Sequence, residues 1–152
     1  RHIYMLLYEQ ALGQTDQTPP RIQPLAVSSL FAYAEQTHGT KCQLTDTWVK
    51  GNEFLLQMFL DQMLAVVPAS ARLSVEGHEG MNYIICDVEG QELSAQQLSE
   101  LFSPQTERLE FLVMRQIVRD HDAACGHPGL RLVAENTGKG YRIAFSLQKA
   151  SK

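Results

Sequence analysis

The stretch Glu107-Arg-Leu-Glu-Phe-Leu-Val-Met-Arg-Gln-Ile-Val-Arg-Asp-His121 is followed by Leu130-Arg-Leu-Val-Ala-Glu135, Gly138-Lys-Gly140 and Tyr141-Arg-Ile-Ala-Phe-Ser-Leu147. These segments decide the fold. Leu109, Leu112, Val113 and Ile117 recur at the three- and four-residue spacing of one helical face, and Phe111, Met114 and Val118 widen that stripe. The loop Cys125-Gly-His-Pro-Gly129 interrupts the pattern. Beyond it the spacing changes to that of strands, with the Gly138-Lys-Gly140 turn between them.

Working outward, Ser94 caps a helix through Leu98, Leu101 and Phe102 that Pro104 ends. Arg72 to Glu76 alternates as a half-buried strand, Gly77-His-Glu-Gly80 makes a hairpin, and Met81 to Asp87 returns. Gly51-Asn52 opens the most regular helix, predicted to reach Val67 before Pro68. Its residues Leu55, Leu56, Phe59, Leu60, Met63, Leu64 and Val67 form a buried face. Each such side chain contributes roughly 1.5–3 kcal/mol on burial before entropy is subtracted, so this helix anchors the core.

Upstream, Pro24 suits the first turn of a helix carrying Leu25, Leu30, Phe31 and Ala34 and stopping near His38-Gly39. A strand over Lys41 to Thr47 and a turn follow. Ile3 to Leu12 reads as a short apolar helix, and Gln14 to Pro20 as a linker. The division is an N-terminal helix and linker over 1–20, one domain over 21–148 and a tail over 149–152. The order of elements predicts an α/β sandwich, a mixed sheet with about three helices on one face and the other face partly exposed.

Composition narrows the functional classes. The 152 residues are 44% hydrophobic and 20% charged, ordinary for one globular domain. A net charge of -4 argues against a nucleic-acid binder, which needs a basic face to replace phosphate counterions. No apolar run approaches the roughly 20 residues of a membrane-spanning helix, and no signal peptide is visible. The sequence begins without Met and in helical character, and is expected to be a piece of something longer. Three widely spaced cysteines, Cys42, Cys86 and Cys125, with no CxxC pair, fit unpaired thiols in a reducing compartment rather than a zinc site. No serine elbow, HExxH or P-loop is present.

From about Arg21 to Gln148 the chain resembles the C-terminal ATP-binding domain of bacterial sensor histidine kinases, the superfamily of Hsp90, gyrase and MutL. The matching pieces are Gly51-Asn52 with Leu55 to Asp61, the strand ending in Asp87, Leu98-Ser-Glu-Leu-Phe102, Arg115 to His121, and Gly138-Lys-Gly140. The resemblance implies the mixed-sheet ATPase fold, a cytoplasmic location within a sensor, and dimerisation through upstream helices. It implies as partners the other domains of one signalling protein or a response regulator.

It also implies where a nucleotide would be handled, and there the residues depart from the family. On the long helix Gln57, Asp61 and Ala65 form one row. Asp61 falls at the family's first asparagine and Ala65 at its magnesium-holding asparagine, although a methyl group cannot ligate a hard cation. Asp87 stands at the adenine-binding aspartate, followed by a turn in which only Gly90 remains of two glycines. Glu89 and Glu92 would repel phosphates there. Thr106, Arg108 and Glu110 occupy the positions of the phosphate-loop glycines, leaving Arg108 as a side-chain anion contact. Tyr141 replaces a small hydroxyl residue.

The candidate nucleotide-pocket residues are therefore Gln57, Asp61, Asp87, Gly90 and Arg108. No catalytic residue, no resident cofactor and no metal are expected. All five histidines read as surface or capping residues, including His78-Glu79 in the hairpin and His121 at a helix end. The leading expectation is a degenerate ATP-binding-like domain acting as a regulatory or scaffolding module in signal transduction. The alternatives are an active kinase domain using ATP and magnesium, and an unrelated protein-interaction domain.

Overall fold

In the computed structural model of the chain, residues 20–43 and 45–151 are described. The expected helix from Ile3 to Leu12, the linker before Pro20, and Leu44 lie outside them. The elements run β1 (Gln23–Ala26), α1 (Val27–His38), β2 (Lys41–Cys42), β3 (Trp48–Gly51), α2 (Glu53–Ala65), β4 (Arg72–His78) and β5 (Met81–Glu89). They continue with α3 (Ala95–Leu101), α4 (Leu109–Ala124), β6 (Leu132–Asn136) and β7 (Gly140–Ala150).

The strands form one seven-stranded sheet in the order β1-β3-β7-β5-β4-β2. Only the β2–β4 pair is parallel. β7 is the hub. One edge carries β5 from Met81↔Gln148 to Glu89↔Gly140, while the other carries β6 and then β3. Lys149 and Ala150, read as tail, are the residues that pair with β3.

Period-two alternation separates the two faces of this sheet. Leu73, Ile84, Cys86, Val88, Ile143, Phe145 and Leu147 join the helices in one core. α2 supplies Leu55, Leu56, Phe59, Leu60 and Met63, and α4 supplies Leu109, Phe111, Val113, Met114, Ile117 and Val118. The Phe59 and Phe145 rings meet at 4.0 Å between centroids, so helix and sheet lock at the centre. The mixed sheet under α1, α2 and α4 is the expected architecture, with α3 as a fourth helix beside β6.

Four local expectations are corrected. Pro24 lies in β1, not in a helix, pairing opposite Lys50 on the sheet's edge, where a residue without an amide donor is tolerated. The Lys41–Thr47 strand shrinks to β2, and Trp48, read with that strand, instead opens a separate strand, β3, whose Val49 is wholly buried. The long helix ends at Ala65, with Val66 as its C-cap. The hairpin is tighter than read, since β4 reaches His78 and only Glu79 and Gly80 turn, both at positive φ (49° and 82°), as a two-residue turn requires.

His121 is the largest departure. It is neither at the surface nor a cap but 0% exposed, and α4 runs on to Ala124. Its Nε2 accepts the Asn52 amide at 3.0 Å, and its Nδ1 lies 2.9 Å from the Ile117 carbonyl. An amide only donates and a carbonyl only accepts, so Nδ1 carries the proton and the ring is neutral. Burial lowers its pKa from the ordinary 6.5, against smaller raising effects of the Ile117 carbonyl and Asp120. Beyond the helix, Asp122 Oδ1 accepts the Gly129 and Leu130 amides at 2.9 and 2.7 Å, tying the loop back.

Candidate functional site

Among the described residues, cavities open along the helical side, one lined by Gln57 and Asp61 and another by Arg108. The first, about 240 Å3, lies between α1, α2 and α4 and is lined by Tyr33, Gln57, Met58, Asp61, Gln62 and Val113, with Phe54 at its edge. Asp61 is already engaged there. Its two carboxylate oxygens each accept from the Tyr33 hydroxyl at 2.9 Å, and His38 Nε2 lies 2.7 Å from Oδ1. Burial, then the Asp61 hydrogen bond and charge, raise the Tyr33 pKa above its ordinary 10.0. Asp61 thus ties α1 to α2.

The second cavity, about 280 Å3, lies between the end of α2, α3, the start of α4 and β7. Val66, Leu93, Leu101, Phe111 and Ile143 make its apolar walls. Gln97, Glu100, Thr106, Arg108 and Tyr141 bring polar groups to it. Its size falls near the lower bound of roughly 300 Å3 for small-molecule pockets. Arg108 is the residue before α4; its guanidinium lies 5.3 Å from the Phe111 ring centroid, and its Nε is 3.4 Å from Glu110. The Arg108 amide is taken by Thr106 Oγ1 at 3.3 Å. Burial raises the Tyr141 pKa above 10.0, so the phenol is neutral.

The neighbouring loops hold this cavity's floor in place. Asn136 both donates to the Leu93 carbonyl and accepts the Leu93 amide, at 2.8 and 3.0 Å. Ser94 and Gln97 exchange a full capping box that starts α3. Glu92, read as a charge that would face phosphates, instead accepts the Gly138 amide at 2.9 Å. Gly90 turns at φ 127°, a conformation that side chains rarely adopt, and its amide donates to the Lys139 carbonyl.

Asp87 belongs to neither cavity. On β5 the core-side residues are Asn82, Ile84, Cys86 and Val88, so Asp87 projects from the opposite face of the sheet. There its Oδ1 accepts from Arg142 Nε at 3.1 Å, across the Asp87↔Arg142 pair. The residue of this strand end that lies on the helical side is Val88, paired with the cavity residue Tyr141.

The five candidates therefore do not converge. Gln57 and Asp61 share the first cavity, Arg108 lines the second, Gly90 shapes a turn nearby, and Asp87 faces away. Ala65 is exposed. The α2 row that borders both cavities is Met58, Gln62 and Val66, one position beyond the row read from sequence. Its four-residue spacing was a visible signal, but two adjacent polar residues, Asp61 and Gln62, left the phase of that row open. The cysteines are poor nucleophiles: burial pushes the Cys42 thiol up to about 11 and the Cys86 thiol to about 12. Among the described residues no group of three His, Cys, Asp or Glu side chains is placed to hold a metal ion, and no helix is long and apolar enough to cross a membrane.

No protein-family profile and no curated protein matches the sequence. Solved structures do. The ATP-binding domain of PrrB from Mycobacterium tuberculosis superposes with a TM-score of 0.66 at 16% identity, over 86% of this chain and 98% of that one. The histidine kinase AdeS of Acinetobacter baumannii gives 0.71 at 15% identity, over 99% and 78%. The histidine kinase ThkA, solved in complex with the response regulator protein TrrA, gives 0.67 at 12% identity, over 98% and 48%. At such identities it is the backbone path, the mixed sheet with its covering helices, that is shared. The chain has the fold of the catalytic, ATP-binding domains of sensor histidine kinases.

Proposed function

We propose that this chain is a histidine-kinase-type ATP-binding domain that has lost magnesium-nucleotide binding and works in signal transduction as a regulatory or scaffolding module. One observation carries this reading. The carboxylate that the family resemblance assigns to adenine, Asp87, lies on the far face of the sheet in an ion pair with Arg142, and the cavity side of that strand end presents Val88. An isopropyl group cannot accept the hydrogen bond of an amino group. The second cavity is bordered by Val66 and by the Glu100 carboxylate, neither of which suits a polyphosphate. Calorimetric titration of ATP and ADP, with and without magnesium, tests the proposal. No binding below about 1 mM is expected. Micromolar, magnesium-dependent binding overturns it.

Arg108 favours a second reading, an active phosphotransferase domain, because its exposed guanidinium stands at the rim of the cavity. Under that reading Arg108→Ala weakens nucleotide binding at least tenfold, and unchanged binding counts against it. The partner class that follows from the fold is a response regulator or the other domains of the same signalling protein, by analogy with the ThkA–TrrA complex.

A further inference from the structure

We propose that His121 is a protonation-sensitive latch that joins α4 to the start of α2 and, through Asn52, to the backbone by which the upstream chain enters the domain. Besides accepting the Leu56 amide at its carbonyl, Asn52 makes three further hydrogen bonds here. Its amide donates to His121 Nε2 at 3.0 Å, its Nδ2 donates to the Arg21 carbonyl at 3.1 Å, and its Oδ1 accepts the Leu55 amide at 2.9 Å. The cap of α2, the end of α4 and the segment just before β1 thus meet at a single residue.

Gly51 lies beside the ring, where a Cβ would come 3.5 Å from His121 Nε2 and 2.5 Å from a Leu56 methyl, which would have to shift. Protonation places a hydrogen on Nε2, facing the hydrogen of the Asn52 amide. Two donors cannot share that bond, and the amide must part from the ring. The first turn of α2 and the Arg21 contact then lose their common anchor.

The charged groups on the elements around this ring are few. α4 itself carries Asp120 and Asp122, β3 carries Lys50, the first turn of α2 carries Glu53, and the entering segment carries Arg21. Only Asp120 acts appreciably on the ring, and Asp122 is committed to the Gly129 and Leu130 amides. Lys149, on β7, points to Gly77 instead. No carboxylate is hydrogen-bonded to Nε2, so the Ile117 carbonyl at Nδ1 and the charge of Asp120 are what favour the imidazolium once it forms.

Because α2 and α4 also frame both cavities, opening the latch loosens their shared end and releases the Arg21 carbonyl from Asn52. The test uses the intact chain, labelled with nitrogen-15, in an NMR titration from about pH 7.5 to about pH 5. The neutral ring is expected as the Nδ1–H tautomer. As His121 titrates, the Asn52 and Leu55 amides shift with the same midpoint and lose about tenfold in exchange protection, the factor expected for one hydrogen bond. Amides of β5 and β7 keep their protection. His121→Gln keeps an acceptor but not the titration, and should abolish the pH response at Asn52. If that variant fails to fold, the wild-type titration still decides. An Nε2–H tautomer, a His121 midpoint that leaves the Asn52 amide unmoved, or loss of all amides in one global step would overturn the latch.

Discussion

Gly140 shows how much a single residue can decide. A Cβ there would sit 2.0 Å from the Val88 carbonyl oxygen, inside any allowed contact. Gly140→Ala is therefore expected to destabilise by about 1–3 kcal/mol, read from urea unfolding. From sequence Gly140 was legible as a turn residue, but its actual constraint comes from β5 across the sheet, which local sequence does not reveal. Among the described residues, His121 and Asp122 contribute to the acid response. His121 has a lowered pKa in the fold and an ordinary one near 6.5 when unfolded, so the unfolded chain binds more protons below that value. Its stabilisation is complete above about pH 6.5 and is lost as pH falls. Tm should be flat near neutrality and decline in mild acid, and His121→Gln should flatten that decline. Burial pushes the Asp122 carboxyl up, but the Leu130 and Gly129 amides and His127 outweigh it and leave its pKa below 3.8. That contribution is present above about pH 4 and fails only in stronger acid. Asp122→Ala should remove the lower step of the acid transition, measured by circular dichroism.

At the scale of elements, the long amphipathic stretches were readable and the short strands were not. α2, α4 and β5 each carry enough apolar residues at one period to be recognised without their neighbours. Leu112, half-buried beside the buried Leu109 and Val113, marks how loosely periodicity places the edge of a face. β1 and β3 have only four residues each and exist because they pair with one another and β3 with β7, partners distant in sequence. Caps are local chemistry and were legible in part. Ser94 caps α3 as read, and Asn52, read as opening α2, does so with its side chain. Asn52→Ala should cost about 0.5–2 kcal/mol, at the upper end because the Arg21 contact goes with the cap. Thermal unfolding measures it, with Ser94→Ala as the comparison at the low end on an exposed helix.

For the whole molecule, the sheet centred on β7 and the packing of α2 and α4 on it are the source of stability. Phe59 and Phe145 sit where these layers meet, and Phe59→Ala should lower stability by about 3–5 kcal/mol in denaturant titration. The same layering determines what the cavities can hold. Asp87→Asn, on the sheet's far face, should leave any residual nucleotide binding unchanged, whereas Val66→Asn, at the cavity, is the variant expected to alter it. Isothermal calorimetry on both variants checks that contrast.

The chain's own sequence determined the class of fold, because hydrophobic period and turn residues are encoded within each long element. That no glycine stands at Thr106, Arg108 or Glu110 also needs no structure to see. The tertiary structure alone decided which face each polar residue occupies. A strand alternates every residue and a helix turns 100° per residue, so a shift of one position moves a side chain to another surface. That is why Asp87 left the cavity and Val88 took its side, why Val66 rather than Ala65 borders the pocket, and why His121 became the buried centre of a contact between α4, α2 and the entering chain.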